Sequence, residues 1–433
     1  MVELAESGSV QERVGAVLGP EAAHLVARFV DETLHRAAVP QPDGTVFLFT
    51  GDIPAMWLRD SAAQVMPLLR FGAELPAAEE FAVGVLRRQL ACIVADPYAN
   101  AFNAGPDGAG HQSDETAMSP MVWERKYETD SLCFPLLLAH RIWRAYGRTD
   151  IFDGLFWNAV ERTVETWETE RDHEGASAYR FQRHDCPSTD TLTRDGLGPR
   201  TAPDTGLIWS GFRPSDDACT YGYNVPGNMF ASVVLGRLPE LAAAAPAPGA
   251  PSGLLQRAEA LRAGIEAGLE THALIDDPET GPRWAYEVDG LGGALSMDDA
   301  NLPSLLSLPL LGYCEADDPR YEATRRFVLS DRNPTHHRGT AASGVGSPHT
   351  PDRHVWPIAL AVAGRTDPDP AGARAALDVL LATRGGTDRI HESFHADKPE
   401  IWTRSWFSWA EATVCELILD CCGVPDPEGI RHP

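Results

Sequence analysis

The sequence predicts an all-α fold: about twelve helices stacked as hairpins, with long polar loops collected at one end. Three observations carry that expectation. Apolar residues recur at helical spacing along most of the chain, and strand-like runs are few and short. The segments between the periodic patterns are rich in Gly, Pro, Asp and His, and they are longer than a compact domain tolerates unless they are functional.

In chain order, the first periodic pattern covers roughly 21–36, followed by 57–71 and 76–95. Pro76 opens the third at a first-turn position, where a missing N–H leaves no hydrogen bond unmade. Patterns at 128–147 and 151–171 follow, then 225–238, 251–275 and 299–313. Asp318-Pro319 is a start signal for 318–329, and the series ends with 354–366, 370–384 and 406–422. "TVFLF" (45–49) and "GLIWSGF" (206–212) read as short strands. Long loops fall at 96–127, 172–224, 272–298 and 330–353. The stretch "AAAAPAPGAPSG" (242–253) lies between two similar helical patterns and reads as a surface loop inside one domain, not a linker. The whole chain, 1–433, is expected to be a single domain, with residues 1–20 a loosely ordered lead-in.

Composition narrows the function. A hydrophobic fraction of 43% fits a globular chain with a large core. A formal charge of -26 argues against phosphate-backbone or anionic membrane partners, both of which demand clustered Lys and Arg. The first residues lack the basic start and apolar run of a secretory signal, and no window is apolar enough to span a bilayer. The cysteines at 92, 133, 186, 219, 314, 415, 421 and 422 form no C-x-x-C pair, so reduced thiols and a cytoplasmic location are expected.

Unusual residues concentrate in a few stretches: "GDIPAMWLRDSAAQV" (51–65), "WERKYETDSL" (123–132), "WSGFRPSDDACTYGYNVPGNMF" (209–230), "MDDANLPSLLSLPLLGY" (297–313), "SPHTPDRHVWPIAL" (347–360) and "HESFHADKPEIWTRSWFSWAEA" (391–412). Each mixes carboxylates, an Arg or His, and Trp or Tyr near a helix start. Such a mixture suits sugars, because an aromatic face covers the apolar side of a pyranose while the polar groups bond its hydroxyls. Glycoside hydrolysis needs two carboxyl groups, and the candidates are Asp60, Asp130, Asp216, Asp217, Asp298, Asp299 and Glu392. Asp216 and Asp217 stand beside Arg213, which could hold one ionised while the other stays protonated; the competing reading is an ordinary helix N-cap.

His391-Glu392-Ser393-Phe394-His395 is also a literal H-E-x-x-H. On a helix it would hold zinc, with Glu392 as base and Glu411 or Glu416 as third ligand. The glycines of "RGGTDR" before it and Pro399 after it oppose a helix through the motif. A carbohydrate-binding protein without catalysis would use the same aromatic and acidic surface, but would not need paired carboxylates in separate blocks.

The six stretches, in order from 51 to 412, resemble the motifs of the metal-independent exo-α-1,6-mannosidases of glycoside hydrolase family 125. The resemblance implies an (α/α)6 barrel and an inverting, metal-free and cofactor-free mechanism on mannose-containing oligosaccharides. It implies a general acid at Asp216 or Asp217, with Asp216 preferred, and a general base at Glu392 acting through water. Arg59, Asp60 and Trp57 would grip the terminal mannose, with Trp209, Arg213, Asp299, His349 and Trp406 as further contacts. Another (α/α)6 exo-glycosidase is the nearest alternative. Glu411 departs from the family pattern, where an amide or small polar residue is expected; facing the barrel interior it would alter the pocket, and facing solvent it would change nothing.

Overall fold

The computed structural model describes residues 9–427. Its helices are α1 Val10–Leu18, α2 Pro20–Asp31, α3 Leu58–Val65, α4 Ala77–Ala95, α5 Thr129–Tyr146, α6 Gly154–Glu170, α7 His173–Ala176, α8 Thr193–Gly196, α9 Val225–Ala244, α10 Leu254–His272, α11 Leu308–Leu311, α12 Pro319–Val328, α13 Pro357–Arg365, α14 Pro370–Ala382 and α15 Ser408–Cys421. Helix α3 packs on α5, α5 on α9 and α9 on α11, while α13 packs on α15 and α15 returns to α3. These inner helices are buried nearly all round: "DSLCFPLLLAHRI" of α5 and "SWAEATVCELIL" of α15 are buried without interruption. The outer helices bury one stripe each. In α10 the stripe is Leu254, Ala258, Leu261, Ile265 and Leu269. Inner and outer helices alternate along the chain, giving the expected (α/α)6 barrel.

Small antiparallel sheets fix how the chain enters the inner helices. Met56–Trp57, Ala101–Phe102 and Val122–Glu124 form one; Tyr223–Asn224, Glu287–Val288 and Ala294–Leu295 another; His354–Val355, Ser393–His395 and Lys398–Thr403 a third. Strands in these sheets run into, or just ahead of, α3, α5, α9, α13 and α15. The long loops therefore gather at the N-terminal ends of the inner ring.

Three sequence expectations need correction, and one competing reading falls away. The lead-in is not loose throughout: residues 1–8 lie outside the described residues, but Val10–Leu18 is a helix closed by a Ser9–Glu12 capping box, with Val10 and Val14 buried. The pattern at 299–313 yields only Leu308–Leu311, because the Asp298 carboxylate captures the N–H groups of Leu305 and Leu306 at 2.9 and 3.0 Å. "GLIWSGF" is not a strand; it is extended chain whose one bridge pairs Phe212 with Ala218. Arg213–Asp217 is a tight loop and no helix N-cap, since Asp216 adopts a left-handed φ of 67°.

Candidate active site

At the N-terminal ends of the inner helices lies a cavity of about 310 Å³, near the lower limit for a ligand pocket. Its floor and walls include Trp57, Arg59 and Asp60 from the start of α3, Asp216 from the loop before α9, and Asn301 from the loop before α11. His349 and Trp356 precede α13; Glu392, Arg404, Phe407 and Trp409 precede or open α15. Peptide N–H groups at helix starts carry partial positive charge, so acidic residues are well placed there.

Asp216 is held from several sides. Its N–H donates to the Arg213 carbonyl at 2.9 Å, its own carbonyl accepts from Lys126 Nζ at 2.8 Å, and Oδ1 accepts from Asn100 Nδ2 at 3.2 Å. Arg59 Nη2 stands 3.6 Å from the same carboxylate. Burial works to raise the Asp216 carboxyl, but Lys126 and Arg59, with a hydrogen bond from Glu128 and the charge of His349, hold it well below the usual range. Asp217 points behind the wall, where Oδ1 meets His349 Nδ1 at 3.2 Å. The imidazole of His349 is therefore pushed up to about 9: burial opposes its charge, but Asp217, Asp216 and Glu392 outweigh burial.

Glu392 lines the same cavity as Asp216. It sits just ahead of the strand Ser393–His395, which pairs with Lys398–Thr403, and its N–H donates to the Thr403 carbonyl at 3.3 Å. Burial raises the Glu392 carboxyl; Arg404, 4.0 Å away, and His349 pull it back toward the ionised form. Arg404 has a left-handed φ of 53° and its Nε donates to Asp52 Oδ1 at 2.9 Å, tying together two rims of the cavity.

The H-E-x-x-H string thus lies at and in a strand, where neighbouring side chains diverge. His391 stacks on Trp402 at 3.9 Å, and its nitrogens meet Thr387 Oγ1 at 3.0 Å and the Arg404 carbonyl at 2.8 Å. His395 accepts from the Asp397 N–H at 3.1 Å. The zinc geometry that a helix would provide does not form, and no group of three or more His, Cys, Asp or Glu able to hold a metal occurs among the described residues.

Not every expected contact reaches the cavity. Trp209 is fully buried, stacked at 3.5 Å on His173. Arg213 donates to Glu287 at 2.5 Å and to Thr220 at 3.1 Å, so Arg59 and Lys126 replace it as the cations acting on Asp216. Trp406 lies under Arg36 and Arg389, away from the cavity lining. Asp299 acts from behind: it accepts from Ser215 and Asn301, both at 3.0 Å, and both line the cavity. Glu411 faces neither pocket nor solvent; it accepts from Arg28 at 2.7 Å and Arg389 at 3.2 Å.

Residues 19–419 match the profile of the metal-independent α-mannosidases, GH125. The chain belongs to that family. A Schizosaccharomyces pombe relative, the meiotically up-regulated gene 157 protein, is 36% identical over 408 residues, covering 90% of this chain and 79% of that protein. A Streptococcus pneumoniae metal-independent α-mannosidase, solved in a non-productive complex with α-1,6-mannobiose, is 45% identical. It superposes with a TM-score of 0.92, and 96% of each chain is covered. A GH78 rhamnosidase of Bacillus sp. GL1 shares the fold alone, at 14% identity and a TM-score of 0.55, covering 91% of this chain and 34% of its own.

In this α-mannosidase, sequence reasoning missed Trp356, Arg404, Phe407, Trp409, Asn301 and Glu128 as members of the site. All lie inside or beside the recognised stretches. The missing signal was spatial: Arg59 lies 4.9 Å over the Trp409 ring, although the two are separated by most of the chain.

Proposed function

We propose that this α-mannosidase removes terminal, non-reducing α-1,6-linked mannose with inversion, Asp216 acting as general acid and Glu392 as general base. One observation carries the reading: the two carboxyls come from different loops and line the same small cavity. Inversion needs a water between base and sugar, so the carboxyls must stand roughly 6.5–9.5 Å apart. The cavity's small volume, about 310 Å³, with Arg59, Trp356 and Trp409 buried in its lining, supports exo action.

Within it, Arg59 and Asp60 grip sugar hydroxyls while Trp57 and Phe407 cover the ring. Asp216 gives a proton to the glycosidic oxygen as the C1–O bond breaks. Glu392 takes a proton from the attacking water on the opposite face, and Arg404 and His349 keep it ionised to do so. The linkage preference rests on the pneumococcal relative and its α-1,6-mannobiose complex. The whole chain is read as one catalytic domain. Among the described residues no helix is long and apolar enough to cross a membrane, and all eight cysteines are free thiols; we read the enzyme as cytoplasmic. Proton NMR of α-1,6-mannobiose hydrolysis tests the proposal. β-Mannose should appear first, with the rate unchanged by EDTA. α-Mannose first would overturn inversion, and loss of activity restored by zinc would overturn the metal-free mechanism.

A further inference from the structure

Glu128, the residue just before α5, has no exposed side-chain surface. Its Oε2 accepts from Arg59 Nη1 and from Ser131 Oγ, both at 2.7 Å. Oε1 has only a long contact, 3.4 Å, from Asn100 Nδ2. That amide nitrogen also faces Glu124 Oε2 at 3.1 Å and Asp216 Oδ1 at 3.2 Å. Its orientation is fixed, because Asn100 Oδ1 accepts the Lys126 N–H at 3.2 Å. Two amide hydrogens therefore confront three carboxylate oxygens, and one oxygen is left facing another without a donor. A proton between Glu128 and Asp216 resolves the conflict.

Charge counting points the same way. Arg59 faces Glu128 at 2.7 Å, Asp130 at 3.1 Å, Asp60 at 3.5 Å and Asp216 at 3.6 Å, one cation for four acids. Lys126 is shared with Glu124 and Asp190, and Arg183 is taken up by those two and Asp114, so neither relieves the excess around Arg59. An uncompensated buried charge is costly, so the group carries protons instead.

We propose that Glu128 is a positioning residue that stores the acid's proton, holding it in the free enzyme and passing it to Asp216 when substrate fills the cavity. The proposal rests on Asp216 being the general acid. Asp216 reaches solvent with 25% of its side chain exposed, whereas Glu128 does not. Sugar binding strips that water from Asp216 and weakens its hold on negative charge, so the O–H bond moves from Glu128 to Asp216. Asp216 then donates the same proton to the glycosidic oxygen, and the water that attacks C1 gives its proton to Glu392. After the products leave, the Glu392 proton departs to solvent and the Glu128–Asp216 pair takes one up through the open mouth, so protons balance over the cycle. Burial drives Glu128 well above the usual carboxyl range although Arg59 opposes it, while Asp216 is held low, as expected for two carboxyls sharing one proton. The other groups facing the pair are Asp60, Asp130, Glu124, Lys126 and His349.

Glu128→Gln keeps the shape and removes the transferable proton. Its kcat/KM should fall on the order of 10²-fold on α-1,6-mannobiose, whose leaving group needs protonation. On 2,4-dinitrophenyl α-mannoside, whose leaving group does not, the loss should be under about tenfold. The alkaline limb of the mannobiose pH profile should move to lower pH, since Asp216 must then hold its own proton. Equal losses on both substrates with an unmoved limb would reduce Glu128 to a structural role. Asp216→Asn separates the two readings: if it fails to spare the dinitrophenyl substrate, Asp216 is not the acid. If it spares that substrate and Glu128→Gln does not, only the storage role falls. Should Glu128→Gln not fold, Glu128→Asp decides, because a structural role predicts the wild-type limb together with equal losses on both substrates, and storage predicts selective loss on mannobiose.

Discussion

The barrel buries a charge cluster at each end, and the two differ in balance. At the C-terminal ends of the inner helices, Arg70 donates to Glu416 at 3.0 Å and pairs with Asp420 at 2.7 Å. Arg365 meets the same acids at 2.9 and 2.6 Å, and Arg141 approaches Asp426 at 3.8 Å. Among the described residues, three cations there face three acids. At the N-terminal ends, Arg59, Lys126 and Arg183 face seven acids, Asp60, Asp114, Glu124, Glu128, Asp130, Asp190 and Asp216. Burial pushes Asp60 up to about 6 and raises Asp130 and Glu128, each against the pull of Arg59. A balanced cluster fixes helices in register; an acid-rich one holds protons, and proton-holding groups in a cleft mark catalysis.

The sharpest way to break this contrast is to remove an acid from the cavity. Glu392→Gln should lower kcat by about 10²–10⁴-fold, measured on α-1,6-mannobiose. Stability should hold or rise at neutral pH, because burial already raises the Glu392 carboxyl and its ionised form is disfavoured in the fold. A marked fall in melting temperature would place Glu392 with the structural acids.

How far the sequence reveals this contrast depends on the kind of signal. Helices announced themselves by apolar period, including α5 and α10, because that period comes from one-sided or all-round burial. The pattern at 299–313 misled because a side chain, Asp298, intercepts backbone N–H groups, and periodicity does not register that competition. The stretches converging on the site were visible as composition, yet Trp209 and Trp409 look alike in sequence. Only packing sends Trp209 against His173 and Trp409 under Arg59. Glu128 and Asp130 look alike in sequence, two residues apart at one helix start; only the fold sets Glu128 beside Arg59, Asn100 and Asp216.

At the balanced end, the opposite outcome is expected. Arg70→Met leaves Glu416 and Asp420 short of a buried partner and should cost about 3–5 kcal/mol of unfolding free energy. Urea unfolding measures it, and kcat/KM of the folded fraction should stay within about twofold of wild type. A loss of activity without loss of stability would mean that the two ends are coupled.

Glu411 tests whether an acid close to the cavity wall belongs with the structural set. Glu411→Gln weakens the pairing with Arg28 and Arg389, at a cost of about 1.5–3 kcal/mol. Its kcat/KM on α-1,6-mannobiose should be unchanged, since the side chain points away from the substrate.

The smallest effect concerns the one cavity-lining cation whose charge depends on pH near neutrality. His349 sits at about 9 in the fold, above its ordinary 6.5, because Asp217, Asp216 and Glu392 outweigh burial. A group raised on folding stabilises fully below its unfolded value and loses that contribution as pH rises through the folded value. Wild type should therefore exceed His349→Gln in unfolding free energy near pH 6, with the gap closing between about pH 6.5 and 9. The side chain is partly exposed, so screening keeps the gap below about 1 kcal/mol. A gap that stays constant with pH would mean the imidazole is neutral throughout. Asp217 would then lie buried without its cation, the acid excess at this end would be larger still, and Glu392 would depend on Arg404 alone to remain ionised.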